Sequence, residues 1–267
     1  MRQVLEPSLR KELNVEIIRD LAKRGKRIDG RTPDEIRKIQ LRTIAGKVET
    51  PIVSCELGNT IIVAGLKFGR MTPYPDSPDQ GGLMVNFDFS LGSSEDIVPG
   101  PPDLRSVLAA RLIDRGLREG AEIDFHQLFL KENEALQLMV DLVCLNDDGN
   151  VEDAGFLAVR QCLQRARIWD TMTVEPISEC VPLRYQNEIV AISFVKIADS
   201  LLVDPSLDEE LAADAQLTLL VDPSLRAIVG SQLYSARHPY HFTYQDMIQC
   251  RQTAYELAKD LITRRIV

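Results

Sequence analysis

Arg111, Arg115 and Arg118 recur at spacings of four and three, which places them on one side of a helix. Such a stripe can reach two or three consecutive phosphates of a nucleic-acid backbone, or bridge to a neighbouring subunit. Arginine suits both roles because it stays charged and donates forked hydrogen bonds. A merely solvated face is the competing reading. Lys26, Arg27 and Arg31 flank a Gly-containing turn and allow the same choice: backbone phosphates, a neighbouring subunit or plain surface. No aromatic platform accompanies either group. Base stacking is therefore not indicated, and any nucleic-acid contact should be to the backbone and insensitive to sequence.

The opposite charge gathers at two other places. The run Asn146-Asp147-Asp148-Gly149-Asn150-Val151-Glu152-Asp153-Ala154-Gly155-Phe156 follows an apolar strand-like segment and precedes a helical pattern. A strand–turn–helix junction ordinarily offers an anion the positive end of a helix. Glu152 and Asp153 in its first turn make this one repel anions. Further on, Asp204, Asp208, Glu209, Glu210 and Asp214 crowd one short segment. Carboxylates without a cationic clamp would face phosphate with uncompensated repulsion, and a solvated acidic turn is the bland reading.

Other chemistries find little support. His238 and His241 stand three apart, but Pro239 between them disfavours a helical metal pair, and no metal or cofactor is expected. No P-loop, Rossmann glycine pattern or GxSxG is present. The five cysteines, Cys55, Cys144, Cys162, Cys180 and Cys250, are scattered with no CxxC, and read as reduced, mostly core-facing thiols.

The 267 residues are 45% hydrophobic and 27% charged, an ordinary globular balance. The net charge of -9 argues against a free-standing, high-affinity nucleic-acid binder, though not against a local basic patch or a basic partner. No apolar stretch is long enough to span a bilayer, and Met1-Arg2-Gln3-Val4-Leu5-Glu6-Pro7 lacks the apolar core of a signal peptide. A cytoplasmic protein without membrane contact is expected.

The elements that must position these groups follow from periodicity. Residues 8–24 predict an amphipathic helix with Leu9, Leu13, Ile17 and Leu21 on its apolar side. Lys47 to Cys55 and Thr60 to Phe68 predict strands joined by a hairpin at Leu57-Gly58-Asn59. Gly82 to Leu91 alternates, with Leu83, Val85, Phe87, Phe89 and Leu91 on one face. Asp103 predicts the N-cap of a helix to about Glu119, with Leu104, Val107, Leu108, Leu112 and Leu117 buried. A strand over Leu136 to Leu145 and a helix over Ala154 to Arg167 follow. Strands near 172–178, 189–197, 200–204, 215–221 and 226–232 lead to a closing helix from Thr243, with Asp246 three residues on as a capping-box-like partner. Its apolar face is Met247, Cys250, Ala254, Leu257, Ala258 and Leu261. The pattern is α+β, in two comparable halves that pack as one unit.

Several motifs in order resemble the ribonuclease PH family from about Arg27 onward. They are Arg27-Ile28-Asp29-Gly30-Arg31, Leu57-Gly58-Asn59-Thr60 with Val63-Ala64-Gly65, and Pro73-Tyr74-Pro75-Asp76-Ser77-Pro78-Asp79-Gln80-Gly81. Pro99-Gly100-Pro101-Pro102-Asp103 and Leu202-Val203-Asp204-Pro205-Ser206-Leu207-Asp208-Glu209-Glu210 complete the set. The third, fourth and fifth resemble the non-catalytic ring subunits of the RNA exosome, above all the archaeal type; a eukaryotic-type ring is the other possibility. Gln232-Leu233-Tyr234-Ser235-Ala236-Arg237 departs from the Lys- and Gly-rich turn common in that branch.

The resemblance implies a ribonuclease PH fold of two βα halves, with mixed sheets packed against helices. It implies an N-terminal extension over 1–26 and halves over 27–181 and 182–267. It implies a three-to-three hexameric ring with a catalytic ribonuclease PH-like partner, exosome cap proteins, and RNA shortened from its 3′ end by phosphorolysis. Active family members usually read Asp-Gly-Gly-Thr-Arg-Thr-Ala at the acidic junction, where the Thr-Arg pair helps bind phosphate. Val151 and Glu152 stand there instead, so this chain is expected to be inactive alone. The helix of Arg111, Arg115 and Arg118 corresponds to one that lines the RNA channel, with Arg111 and Arg115 favoured; Arg27 and Arg31 are weaker RNA candidates. Asp208 and Asp214 have the six-residue spacing of the family's catalytic aspartates, which act as acid or magnesium ligands. The alternative expectation is therefore an active phosphorolytic 3′-5′ exoribonuclease using Asp208 and Asp214.

Overall fold

The computed structural model describes residues 7–46, 51–94, 97, 100–120, 123–168, 181–185, 187, 189–235 and 242–263. Its first sheet has the order β1-β2-β3-β6-β4, built from Ile39–Gly46 (β1), Pro51–Leu57 (β2), Thr60–Met71 (β3), Gly82–Phe89 (β4) and Glu134–Asn146 (β6), with Phe129–Lys131 (β5) beside β6. Pairing is antiparallel except for β4 on β6, so the sheet is mixed. The second sheet, all antiparallel, has the order β10-β9-β11-β12. It comprises Val190–Ile197 (β9), Ser200–Val203 (β10), Ala215–Asp222 (β11) and Ala227–Ser235 (β12). A short pair, Arg167–Ile168 (β7) with Val181–Pro182 (β8), lies between the halves in sequence. The helices are Pro7–Lys23 (α1), Leu104–Glu119 (α2), Val151–Arg165 (α3), Leu207–Ala212 (α4) and Tyr244–Thr263 (α5).

Helix α3 is the centre of the molecule. It touches β2 and β3 of the first sheet and β9 of the second. Twelve of its residues are buried, from Val151 to Leu163. A helix enclosed on all sides needs apolar residues all round, and Phe156, Leu157, Ala158, Val159, Cys162 and Leu163 supply them. Helix α2 covers β4 and reaches β12, while α5 lies on β9 and β11. Helix α1 packs on α4 and β9, burying Val15, Ile18 and Ala22 against Val195, Ile197, Ala212 and Ala213.

The α+β architecture, the β2–β3 hairpin with Gly58 at φ +59°, and the long alternating strands agree with the sequence reading. Asp103 caps α2 by accepting from the Ser106 N–H, and at the start of α5 the Thr243 N–H donates to the Asp246 carboxylate while the Asp246 N–H donates to Thr243 Oγ1. Cys55, Cys144, Cys162 and Cys250 are buried free thiols, which burial pushes up to about 12.

Three expectations need correction. Helix α3 starts at Val151 rather than Ala154, because buried acidic side chains occupy its first turn. In α2, Leu104 and Val107 are exposed, and the buried stripe is Ser106, Ala109, Leu112, Ile113, Gly116 and Leu117. In α1, Ile17 is exposed and the inner face runs through Val15, Ile18 and Ala22. Residues 172–178, Cys180, His238 and His241 lie outside the described residues.

Candidate nucleic-acid interface

Helix α2 holds Arg111 and Arg115 on its solvent side. Its apolar stripe fixes the orientation, because the buried residues Leu112, Ile113, Gly116 and Leu117 turn the positions between them outward. Arg111 lines an open groove of about 500 Å³ between α2 and β4, shared with Asp88, Asp114 and Asp141. Lys67 and Asn86 already bond Asp141, which leaves that acid partly neutralised. Arg118 differs from its two neighbours. It pairs with Asp114 at 3.0 Å, donates to the Leu83 carbonyl at 3.1 Å and lies 5.6 Å from the Phe125 ring centroid. The helix thus ends in a pinned arginine and presents two freer ones.

The basic loop has another fate. Arg27 is only 5% exposed, and its guanidinium grips Glu209 through two bonds of 2.9 and 2.5 Å. It also donates to the carbonyls of Val203 at 2.8 Å and Asp204 at 2.9 Å. Arg31 bonds Asp29 at 2.6 Å, Asp204 at 3.0 Å and the Glu35 carbonyl at 2.9 Å. As surface RNA contacts, Arg27 and Arg31 are therefore corrected by the structure. The acidic segment at 204–210 folds onto the loop, and a desolvated charge must be paired to be tolerated.

Arg37, which sequence reasoning missed, ties this junction together. It bonds both Asp204 oxygens, at 2.9 and 2.8 Å. It also donates to the carbonyls of Asp148 at 2.8 Å, Gly149 at 3.1 Å and Pro205 at 3.2 Å. One guanidinium so clamps the turn before α3 to the turn before α4. Burial works against the Arg37 charge, and the Asp204 carboxylate more than offsets it, raising its pKa. The signal was charge complementarity: a basic segment at 26–37 and an acidic one at 204–210 are natural partners.

The turn before α3 is built on Gly149 at φ +82° and Asn150 at φ 56°. A Cβ on Gly149 would approach the Leu207 nitrogen to 2.4 Å, so only glycine lets the two turns meet. The N–H of Gly149 donates to Asp147 Oδ1 at 3.1 Å, and that of Asn150 to Glu210 Oε1 at 2.7 Å. Arg105, from the first turn of α2, pairs with Asp147 at 2.8 Å and stacks 4.8 Å from the Phe89 centroid. Glu152 completes the group and is 9% exposed. Burial, and then the neighbouring Glu152, push Glu210 up to about 8; burial raises Glu152 as well. Asp153 accepts from Asn150 Nδ2, Ser193 N and Ser193 Oγ, and burial pushes it up to about 8.

Asp208 and Asp214 face different surroundings. Asp214 is held by Arg19 of α1 at 2.7 and 3.2 Å and accepts from the Ala198 N–H at 2.8 Å. Asp208 lies in the first turn of α4, on the side of Asp148, whose pKa is raised by burial first and by the charge of Asp208 as a smaller contribution. Among the described residues no cluster of three His, Cys, Asp or Glu could hold a metal ion, and no helix is long and apolar enough to cross a membrane.

The two halves of this architecture match two family models. Residues 35–168 match domain 1 of the 3′ exoribonuclease family, described as RNase PH, and residues 187–256 match its domain 2. The chain belongs to this family. The domain 1 match spans both candidate regions of the first half, Arg105 to Arg118 and the turn before α3, and the domain 2 match includes the acidic segment around α4. One family relative is the exosome complex component Rrp42 of Methanosarcina acetivorans, 35% identical over 221 residues, which are 82% of each chain. The ribonuclease PH fold is shared with a chain of the Archaeoglobus fulgidus exosome solved with RNA bound to the active site. That likeness has a TM-score of 0.86 at 28% identity, covering 96% of this chain and 99% of that one. A chain of an archaeal exosome core is similar with a TM-score of 0.82 at 27% identity, covering 96% and 98%.

Proposed function

We propose that this chain is a non-catalytic subunit of an exosome core ring acting in 3′-to-5′ RNA degradation. It binds RNA phosphates through Arg111 and Arg115 and structures the active site of a catalytic ribonuclease PH-like partner. The observation that carries the reading is the turn before α3. Phosphorolysis needs a bound phosphate, and here Asp147 takes up Arg105 while Glu210 takes up the Asn150 N–H. Their carboxyl oxygens already take the backbone donors of the turn that a phosphate would need. The Arg19 pair on Asp214 argues the same way, because an acid so engaged is a poor metal ligand or proton donor.

The ring has a three-to-three composition, carries cap proteins and works in the cytoplasm, with the chain divided near 181 into its two halves. These features are what the motif resemblance to the family implies. Arg118 orients the end of α2 beside the RNA contacts. The deciding experiment is phosphate-dependent shortening of a poly(A) oligonucleotide. The chain alone is expected to be inactive and the co-expressed pair active. Robust activity from a partner-free, sequence-verified preparation would overturn the reading.

A further inference from the structure

The second sheet ends in an edge that its own residues do not guard. Among the described residues β12 pairs only with β11, and its run Ala-Ile-Val-Gly-Ser-Gln-Leu-Tyr-Ser holds no charge and no proline. Edge strands ordinarily carry such residues, because an unpaired row of N–H and C=O groups recruits another strand. The register sets Ile228, Ser231 and Leu233 opposite Val221, Leu219 and Leu217, which belong to the core under α5. Cross-strand partners share a face, so Ile228 and Leu233 lie on the α5 side, yet they are 40% and 52% exposed. Helix α5 lies on β9 and β11, and this outer strip of the face stays open. Tyr244, Arg251 and Tyr255, spaced by seven and four, share one side of α5. Tyr255 Oη donates to the Arg226 carbonyl at 2.7 Å, which turns that side toward the start of β12.

The strip is basic at this end. A groove of about 410 Å³ between the β11–β12 turn and the end of α5 is lined by Arg226, Lys259, Tyr255 and a single acid, Glu256. Among the described residues Arg226, Arg251 and Lys259 have no ion pair, in a chain of net charge -9. Arg226 also holds φ +53°, where glycine fits without strain, so the hairpin alone gives no reason for an arginine. We propose that β12 and the adjoining side of α5 dock an extended acidic segment of a protein partner, which adds to the free edge of this sheet as a further strand. The backbone of that segment pairs with β12, and its apolar residues on one face cover Ile228 and Leu233. Its Asp or Glu side chains meet Arg226, Arg251 and Lys259, the charge complement that the groove lacks. RNA fits this strip less well, because a phosphate backbone needs cations along its length and β12 supplies none. The inference does not depend on the ring reading.

The experiment presents the full chain to a display library of randomised peptides about as long as β12. Selected peptides should alternate apolar and polar residues, carry Asp or Glu toward one end, and bind more weakly as salt rises. Hydrogen exchange of the complex should show the β12 amides slowed and those of β4, an edge of the other sheet, unchanged. Arg226→Glu with Lys259→Glu should weaken these peptides by about tenfold or more. Leu233→Lys, which places a guarding charge on the edge, should do the same. Arg226→Gly separates binding from folding. Glycine suits the left-handed backbone there, so the thermal midpoint should equal or exceed that of wild type while peptide affinity falls. Fluorescent oligo(A) is the second probe, and Arg226→Glu with Lys259→Glu should change its binding by less than about twofold. No acidic alternating consensus, β12 amides that exchange as before, or peptide affinity untouched by these variants would each overturn the proposal. So would a larger loss of oligo(A) binding, which would make the strip a nucleic-acid surface. None of these outcomes bears on the poly(A) assay with partner.

Discussion

Arg27, Arg31 and Arg37 enter the interior, whereas Arg111 and Arg115 stay on the outer side of α2. The residue type is the same and the local spacing equally suggestive. What separates them is the segment each meets in the fold. The first group meets the acids of 204–210, which accept most of its donors. The second projects from a helix whose other side is committed to the core, with two acids of the adjoining groove, Asp114 and Asp141, already bonded elsewhere and the third, Asp88, exposed to solvent. A basic motif is available for a ligand only when the fold brings it no internal counter-ion. Interior arginines should therefore govern stability, and the α2 arginines RNA affinity.

The largest expected effect tests the interior side of that contrast. Arg27→Ala leaves Glu209 buried without its cation, and losing one member of a buried pair typically costs about 3–5 kcal/mol. Urea denaturation of the chain should show a fall of that order. RNA binding by whatever ring still assembles should keep its salt slope. A variant as stable as wild type, or one whose salt slope falls, would return Arg27 to the surface class.

The exposed side is tested by Arg111→Glu with Arg115→Glu in the assembled ring. Each lost phosphate contact should lower the salt slope of RNA binding by about one unit, uniformly across sequences. Stability and ring assembly, followed by gel filtration, should be unchanged. An unchanged slope would leave these residues as surface ion-pair formers worth roughly 0–1 kcal/mol.

A pH experiment sharpens the comparison at the acidic turn. Burial raises Glu210 from its ordinary value to about 8, and Glu152 moves the same way. In this window the folded chain holds protons that the unfolded chain has released. Stability contributed by the raised acids is thus present at acidic pH and is lost as pH climbs from about 5 to about 8. Glu210→Gln should flatten that decline without shifting the loss seen below pH 4. An identical profile in wild type and variant would mean that Glu210 is not desolvated among like charges.

The sequence made the architecture legible because strands such as β6 alternate strongly and α3 is apolar all round. It misjudged α2 and α1 for a physical reason. Large apolar residues drew the stripe through Leu104, Val107 and Ile17, yet close packing put Ser106, Ala109, Gly116 and Ala22 inside. Val151 and the acidic Glu152, at the places where the resembling family usually has Thr-Arg, could be read directly. Glu210 on the Asn150 N–H and Arg27 on Glu209 could not, since their partners are 60 and 182 residues apart and no local pattern links them.

The smallest expected effect separates two acids that the sequence treats as a pair. If Asp208 and Asp214 worked together on RNA, replacing either by Asn should depress turnover of the ring by orders of magnitude. Their surroundings say otherwise. Asp214 is 5% exposed, paired to Arg19 and bonded to a backbone N–H, so Asp214→Asn should weaken the docking of α1 on α4 and lower stability. Asp208 is partly exposed, and its close neighbours Asp148, Glu209 and Glu210 are acids, so losing its charge relieves repulsion. Asp208→Asn should change stability by less than about 0.5 kcal/mol and leave turnover of the ring within about twofold. The matching substitution in the catalytic partner should abolish turnover. Phosphorolysis lost in both cases would place part of the chemistry on this chain after all, and would make Asp148 and Asp208 the pair to study next.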